Sequence, residues 1–591
     1  MTRGSNIPPD VEASCNELLS KKKISLKKLV SLEVKSEKWE TKVVALSPYR
    51  LYLLPAKAPC RVEVSLSFLD IQSITSKKGQ QLHIDHKDGR RLSMALVDAK
   101  ESFDNIICHI LVSLKNLHPH LNVQEKLVRL DLPADRLGSM RTALTQASQK
   151  EAGACGGFTN AYTCMCDYHG LPYREDIAWD VDTIYMSQDS RELNLADFDH
   201  LDSRDLIPVI GALQHNMWFK KFNASNVKLS SEAQSELLRV IETNATIEEL
   251  SLENSGIKGE FLGRLASALT SNSNCPLSGI DLSNNTIEDR DQGQTMPSMS
   301  ERGLYNLCGP ISQLPKGLTY LKLARTGLTA KGANKLAEAL VANPYMSSSL
   351  QSLDLSENSF KGEDITQVYS FLGKTNSITS LNLSGTECIL DMVFGALLHG
   401  CCQFLQHLDL SRNSFSKRGK DSPVPPALRQ FFASSCALQK VSLSGCKLPP
   451  EAVKNLLLAI ASNPTLAGVE VDLSCCELRT PGAHIIESCI MGIHNITALD
   501  LSDNGFDNDM IGMLNHLKRN QAIKRLAIGK NFFGIKPKYL VSTLESVVNL
   551  IQEEECAVES LSLADSKLKA DTVEVINALG SNTTLKELDI R

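Results

Sequence analysis

Two spacings in this 591-residue chain could do chemistry. Cys164 and Cys166, followed by His169, offer two thiolates and an imidazole, the ligand types of a zinc centre. No second pair follows at ligand spacing, and Cys401–Cys402 and Cys475–Cys476 are adjacent pairs inside a repeated pattern. Gly373, Lys374 and Thr375 resemble the end of a phosphate-binding loop, but the first glycine of that loop is missing. Neither H-E-x-x-H nor G-x-S-x-G occurs. No metal, cofactor or catalytic residue is expected, and the chain reads as a non-enzyme.

The remaining chemistry is that of charge. Residues 1–120 hold 19 Lys and Arg against 13 Asp and Glu, a net of +6, whereas the whole chain is at −6. A basic front and an acidic back point to two different partners. Lys21, Lys22, Lys23, Lys27, Lys28, Lys35, Lys38 and Lys42 crowd the front, with Trp39 between the last two. Each basic residue near an anionic lipid surface is worth about 1 kcal/mol, and an indole can enter the interface. Anionic lipid is one reading of this cluster; a solvated basic edge is the other. Further on, Asp281, Asp354, Asp409, Asp472 and Asp500 recur at one position of a repeat. Aspartate is poor in strands, so its recurrence needs a cause. Either repeat duplication and solubility explain it, or an acidic strip receives a basic protein segment. No nucleic-acid partner is expected.

These charges need elements to position them. A pattern L-x-x-L-x-L-x-x-N/T/C-x-L begins at Leu277, Leu350, Leu405, Ile496 and Ile523, with weaker copies between. Its second leucine-type position falls at Leu193, Phe222, Leu250, Ile280, Leu321, Leu353, Leu381, Leu408, Val441, Val471, Leu499, Leu526, Leu561 and Leu588, mostly 27–33 residues apart. Units of this length have room for a helix, and none can bury its apolar face alone, so neighbours must stack. Residues 230–244 place Ala233, Leu237, Leu238 and Ile241 on one helical face. The spacing predicts a ribonuclease-inhibitor-like leucine-rich-repeat solenoid over 191–591, parallel sheet inside and helices outside, with its last repeat incomplete. Residues 289–302, polar and inserted where the interval lengthens, read as a projecting loop.

Residues 25–120 do not follow the repeat. Six short alternating runs, an Asp88–Gly89 turn and an amphipathic segment over 98–117 read as a pleckstrin-homology-like β-barrel with a C-terminal helix. Residues 1–24 form an N-terminal arm without an apolar signal segment, and no stretch approaches the roughly 18 apolar residues of a membrane span. The 17 cysteines are dilute and read as buried thiols in a reducing compartment, which makes Asn-x-Ser/Thr matches at Asn223, Asn244, Asn382, Asn495 and Asn582 chance occurrences.

Residues 121–190 read as a helical linker and solenoid cap, with a helix over 127–144 and a break over 151–157. Its run Trp179, Asp180, Val181, Asp182, Thr183, Ile184, Tyr185 is the most specific stretch of the chain. With Gly156-Gly157-Phe158, Cys166-Asp167-Tyr168, Arg174-Glu175 and Ser203-Arg204-Asp205-Leu206, it resembles the CARMIL family, the capping-protein, Arp2/3 and myosin-I linkers. Trp179 and Tyr185 are expected to form a structural cap that seals the N-terminal edge of the solenoid. The resemblance implies a cytoplasmic, cytoskeletal scaffold at the inner face of the leading-edge plasma membrane. Such a scaffold antagonises barbed-end capping and supports lamellipodium formation and migration. It further implies actin-regulatory partners, homodimerisation through a helical segment, and a tail motif of the form L-x-H-x-T-x-x-R-P-K that binds capping protein. No such run occurs here, so the chain is expected to be a fragment or short isoform that does not uncap filaments by itself. A regulator of a small GTPase on the same repeat fold is the alternative.

Overall fold

The computed structural model describes residues 7–35, 38–98, 101–149, 153–285, 299–360, 364–415 and 424–591. Most of the inserted segment 289–302, including 289–298, lies outside them. The chain divides into two compact units: residues 1–193, 198–220 and 230–246 form the first, and residues 194–197, 221–229 and 247–591 the second.

In the first unit, eight strands form one sheet: β1 (Leu26–Lys35), β2 (Lys38–Leu46), β3 (Arg50–Pro55), β4 (Val64–Ser67), β5 (Ile71–Thr75), β6 (Gln81–His86), β7 (Arg91–Leu96) and β8 (Arg129–Asp131). Their order is β4-β3-β2-β1-β7-β6-β5-β8. Helix α1 (Pro9–Leu18) precedes them and helix α2 (Asp104–Leu117) follows β7. Ile106, Ile107, Ile110, Leu111 and Leu114 of α2 pack on Val30, Val44, Leu46, Leu51, Leu53 and Phe68, the core of the pleckstrin-like module.

The run Val43 to Leu46 lacks the polar alternation of a half-exposed strand because both its faces are covered. Val44 and Leu46 face α2, whereas Val43 and Ala45, with Tyr52 and Leu54 of β3, lie under Ile7, Val11, Cys15 and Leu19. The expected N-terminal arm is therefore a helix that belongs to the domain. Its apolar residues fall at a strict four-residue spacing, one helical face.

The expected helix over 127–144 starts at Ala134. Pro133 disfavours helical geometry at the residue before it, and residues 129–131 instead pair in parallel with β5. Behind the break, Cys155, Gly156 and Gly157 adopt left-handed φ at the start of the helix Ala154–His169. A Cβ on Gly156 would lie 3.0 Å from Trp218 Cβ, and this tight approach together with its left-handed φ favours glycine.

In the second unit, each strand is three to five residues long and pairs in parallel with its sequence neighbour, from Lys221–Asn223 through Glu587–Asp589. The central residues in register are the leucine-type positions read from the sequence, for example Leu250↔Ile280 and Leu499↔Leu526. Helices such as Ala330–Ala342 and Pro450–Ser462 return the chain, each burying one apolar stripe.

A histidine cluster lies in the first unit. The His118 and His215 rings stand edge to face with centroids 4.7 Å apart, and His120 is 6.3 Å from His118. Burial, then the neighbouring imidazoles, hold His118 well below its ordinary value. Burial brings His215 down to about 4, with His120 and Lys87 adding repulsion. Burial also lowers His120, beside Lys115. A base whose folded pKa is depressed binds fewer protons folded than unfolded, so its neutral state favours folding only at pH above that window. Stability of the first unit should fall as pH drops from about 6.5 towards about 4. Thermal melts across that range check this, and a paired His118→Leu, His215→Leu variant should show a flatter profile.

Candidate binding surfaces

The lysines of the basic front do not form one patch. Lys28 and Lys42 are buried, at 9% and 8% exposure. The Lys28 ammonium donates to the Ser102 carbonyl at 2.7 Å and pairs with Glu101 at 3.1 Å. Lys42 pairs with Glu63 at 2.7 Å and Glu40 at 3.1 Å, which raises its pKa, the Glu63 bond contributing most. Both hold the barrel together, and their assignment as lipid contacts is corrected on that ground. Lys27 bonds Asn16 and faces Glu12, and Lys22 lies 3.5 Å from Asp167. Arg50 also bonds Asp167, with Nε donating to its carboxylate at 2.6 Å and the guanidinium reaching the Asp167 and Tyr168 carbonyls. These partners are distant in sequence, so only folding reveals the neutralisation.

What remains exposed gathers on the β1–β2 hairpin and after α1. Lys35 pairs directly across from Lys38, and Glu33 from Trp39. The register slips between Glu33 and Lys35, and Val34 at the slip is 46% exposed although it follows the inward parity of Val30 and Leu32. The hairpin thus projects beyond the core. Trp39 is 43% exposed beside it. Lys38 pairs with Glu40 at 3.2 Å yet keeps a largely open side chain. Lys21, Lys23 and Lys35 are exposed, and among the described residues they have no acidic partner.

The repeated aspartates have a local explanation. Each stands two residues before a serine, and its carboxylate accepts that serine's backbone N–H: Asp281 from Ser283 at 3.0 Å, Asp354 from Ser356 at 2.9 Å, Asp409 from Ser411 at 2.9 Å, Asp472 from Ser474 at 3.0 Å and Asp500 from Ser502 at 2.9 Å. Asn382 does the same for Ser384. The next residue takes a left-handed φ, as at Asn284, Glu357, Arg412, Cys475 and Asp503. Asp and Asn stabilise such turns with their own side chain, so strand-ending geometry accounts for the recurrence.

Larger side chains of the sheet and its turns join across small residues. Tyr320 donates to Glu249 at 3.2 Å over Gly279, where a Cβ would sit 2.3 Å from the Tyr320 ring. Arg525 reaches Glu470 across the intervening strand, which carries Ala498. Arg412 reaches Glu357 past Gly385, where a Cβ would meet Glu357 at 2.6 Å. A shallow hollow is lined by Lys440, Glu470, Asp472, Asp500, Arg525 and small residues including Ala498, Ala527 and Ser562. In it, burial raises the Asp500 pKa, and the like charge of Asp472 adds to this.

At the junction, Ile177, Ala178, Val181 and Tyr185 share the buried face, and Trp179 falls off it, 58% exposed. The expectation that Trp179 seals the solenoid edge is therefore corrected. Tyr185 is buried, 6.4 Å from Phe198 and 6.1 Å from Phe219 by ring centroids. The large indole in this region that is held is Trp218: its N–H donates to the Ser190 carbonyl at 2.7 Å, and the Arg191 guanidinium lies 3.5 Å from its ring centroid. Cys164 and Cys166 are buried thiols whose pKa burial raises, the latter to about 11, and His169 faces Glu236 at 3.4 Å. Trp179→Ala should unfold in urea at the same midpoint as the parent, whereas Tyr185→Ala should lose roughly 3 kcal/mol.

Two family models match. The Carmil pleckstrin homology domain covers residues 24–119, and the CARMIL family LRR domain covers residues 155–591. The chain is 40% identical over 583 residues to mouse (Mus musculus) "Capping protein, Arp2/3 and myosin-I linker protein 3", covering 98% of this chain and 41% of that protein. It is 32% identical to "Protein CARMIL" of Dictyostelium discoideum, over 94% of this chain and 51% of that one. A "Rho GTPase-activating protein gacW" of Dictyostelium discoideum is 26% identical over 95% of this chain and 45% of its own length. The chain thus spans about two fifths to one half of these relatives. The repeat match alone takes in well over half of the 591 residues and the pleckstrin match accounts for the barrel before it, so the chain belongs to the CARMIL family.

Proposed function

We propose that this chain is a membrane-associated scaffold in the regulation of actin filament assembly, in the setting named for its relatives, which link capping protein, Arp2/3 and myosin-I. The observation that carries the membrane half is the projecting β1–β2 hairpin. Val34 and Trp39 are exposed there immediately behind the Lys35–Lys38 pair, apolar side chains next to cationic ones. No described helix is long and apolar enough to cross a membrane. The repeat sheet supplies the scaffold half, a rigid face whose hollow over Lys440, Glu470, Asp500 and Arg525 offers mixed charge to a protein segment. At the leading edge, the chain would bring actin-regulatory proteins to the inner face of the plasma membrane and, with the rest of a full-length protein, restrain barbed-end capping.

A GTPase-directed role draws only on the more distant Dictyostelium relative, and the higher identity to the linker proteins favours the actin reading. A GTP-hydrolysis assay with Rho-type GTPases separates the two. For the membrane half, the full chain should co-sediment with vesicles containing phosphatidylserine, weaken as salt rises, and bind pure phosphatidylcholine poorly. Lys35→Glu with Lys38→Glu should weaken binding at least about tenfold, since each reversal removes roughly 1 kcal/mol of attraction or more. Trp39→Ala should weaken it while leaving the salt dependence intact, and Lys28→Glu should lower the melting temperature instead. Equal binding to neutral and anionic vesicles would remove the proposal.

A further inference from the structure

The thiols of Cys15 and Cys60 meet where α1 crosses the loop between β3 and β4. Their sulfurs are 3.4 Å apart across 45 residues of sequence. The contact is held by its surroundings: the Cys60 backbone N–H donates to Ser14 Oγ at 2.9 Å, which ties the loop to α1 beside the sulfurs. Ile7, Val11 and Leu19 fix the same helix on Val43, Ala45, Tyr52 and Leu54, with Cys60 packed at the edge of that cluster. Other close cysteines differ. The sulfurs of the adjacent pair Cys475 and Cys476 diverge, one to Asp503 and one to the Leu443 carbonyl.

A disulfide needs sulfurs about 2.05 Å apart with both Cβ atoms within reach, and two thiols in contact on packed elements need only a side-chain rotation to approach it. Access is unequal. Cys15 is fully buried and Cys60 is partly exposed at the rim of the loop. An oxidant from solvent therefore meets Cys60 first, and Cys15 stands where a resolving thiol must stand.

We propose that Cys15 and Cys60 form a modification site for peroxide-class oxidants, a reversible disulfide that staples α1 to the barrel. In the first step, the Cys60 sulfur attacks hydrogen peroxide: the O–O bond breaks, an S–O bond forms, and water leaves, giving the Cys60 sulfenic acid. In the second, the Cys15 sulfur attacks the Cys60 sulfur: the S–O bond breaks, the S–S bond forms, and the Cys15 proton departs with the hydroxyl as water. The two thiols lose two electrons in all, and one peroxide becomes two waters. Burial, and then the Cys60 contact, push the Cys15 thiol up to about 12, so it keeps its proton until it attacks Cys60. The closed loop spans β1, β2 and β3, so the staple limits the unfolded chain as well as the folded one. The site stands independently of the membrane reading, because its test involves no lipid.

The test uses the full chain, fully reduced and then exposed to hydrogen peroxide at a small molar excess. Free thiols are alkylated, and the protein is digested without reductant. The expected result is a cross-linked peptide pair containing Cys15 and Cys60, a loss of two alkylated thiols from 17, and reversal by dithiothreitol. Amides of residues 11–19 should exchange at least about tenfold more slowly in the oxidised protein, as a staple that suppresses local opening requires. In Cys15→Ser, a sulfenic-acid trap such as dimedone should label Cys60 without a cross-link forming. Should that variant fail to fold, Cys60→Ser, altered at the rim rather than in the core, must abolish the pair on its own. Oxidation that takes Cys60 to sulfinic acid while Cys15 stays alkylatable would overturn the proposal. So would a cross-link of Cys60 to any other cysteine.

Discussion

The repeat architecture depends on one buried side chain per turn. Asn358, fully buried, donates to the carbonyls of Leu323, Leu355 and Ser356 at 2.8, 2.9 and 3.2 Å, and accepts from the Thr326 and Leu328 amides. It therefore satisfies backbone in its own repeat and in the one before. Asn285, Asn413, Asn504 and Asn531 repeat the arrangement, each bonding a carbonyl about thirty residues upstream. The chain turns sharply after each strand and leaves these groups buried away from water, where an unpaired one costs about 1–3 kcal/mol. Where the sequence has Thr or Cys the bond is simpler: Thr386 donates to the Leu383 carbonyl at 2.7 Å and Cys446 to the Leu410 carbonyl at 3.2 Å. A second series works at the ends of the helices, where Asn343, Asn463 and Asn520 donate to carbonyls of the preceding repeat. Asn244, buried, and Asn495 and Asn582, half-buried, belong to it, so the amides of those Asn-x-Ser/Thr matches are bonded into the fold.

Because the interior asparagines and the strand-ending aspartates fix the turns, the other outward side chains of the strands need not. They are free to vary on the sheet face, and small residues such as Gly279 and Ala498 let larger ones meet over one intervening repeat. In that division of labour the fold is specified inside, and the surface can change without unfolding the repeat. The pleckstrin-like module shows the same separation. Lys28, Lys42 and Arg50 are committed to internal pairs, and the ends of β1 and β2 beyond the core carry the exposed side chains.

The solenoid was legible because its apolar positions recur through packing, and each leucine-type position named from the sequence between Phe222 and Leu588 lies in a strand, in register with its neighbours. The barrel with its closing helix was legible through alternation and one tight turn. Three features were not. Helix α1 and its flanks bury only Ile7, Val11, Cys15 and Leu19, too short a pattern to stand out until the sheet face beneath it is known. The pairing of Lys22 and Arg50 with Asp167, or Lys42 with Glu63, joins residues that no local spacing connects. Trp179 misled because size and a distinctive neighbourhood suggest burial, whereas helical phase decided it, and Ile177, Val181 and Tyr185 took the inner face. The aspartates had a readable signal in the recurrent Asp-Leu-Ser, a turn signature.

If the interior asparagines couple neighbouring repeats, removing one must loosen two. Amide hydrogen exchange on Asn358→Ala measures this directly. The account predicts faster exchange both in its own strand and turn, residues 353–358, and in the preceding turn, residues 323–328, with protection near Leu499 unchanged. Loss confined to residues 353–358, or none at all, would contradict it.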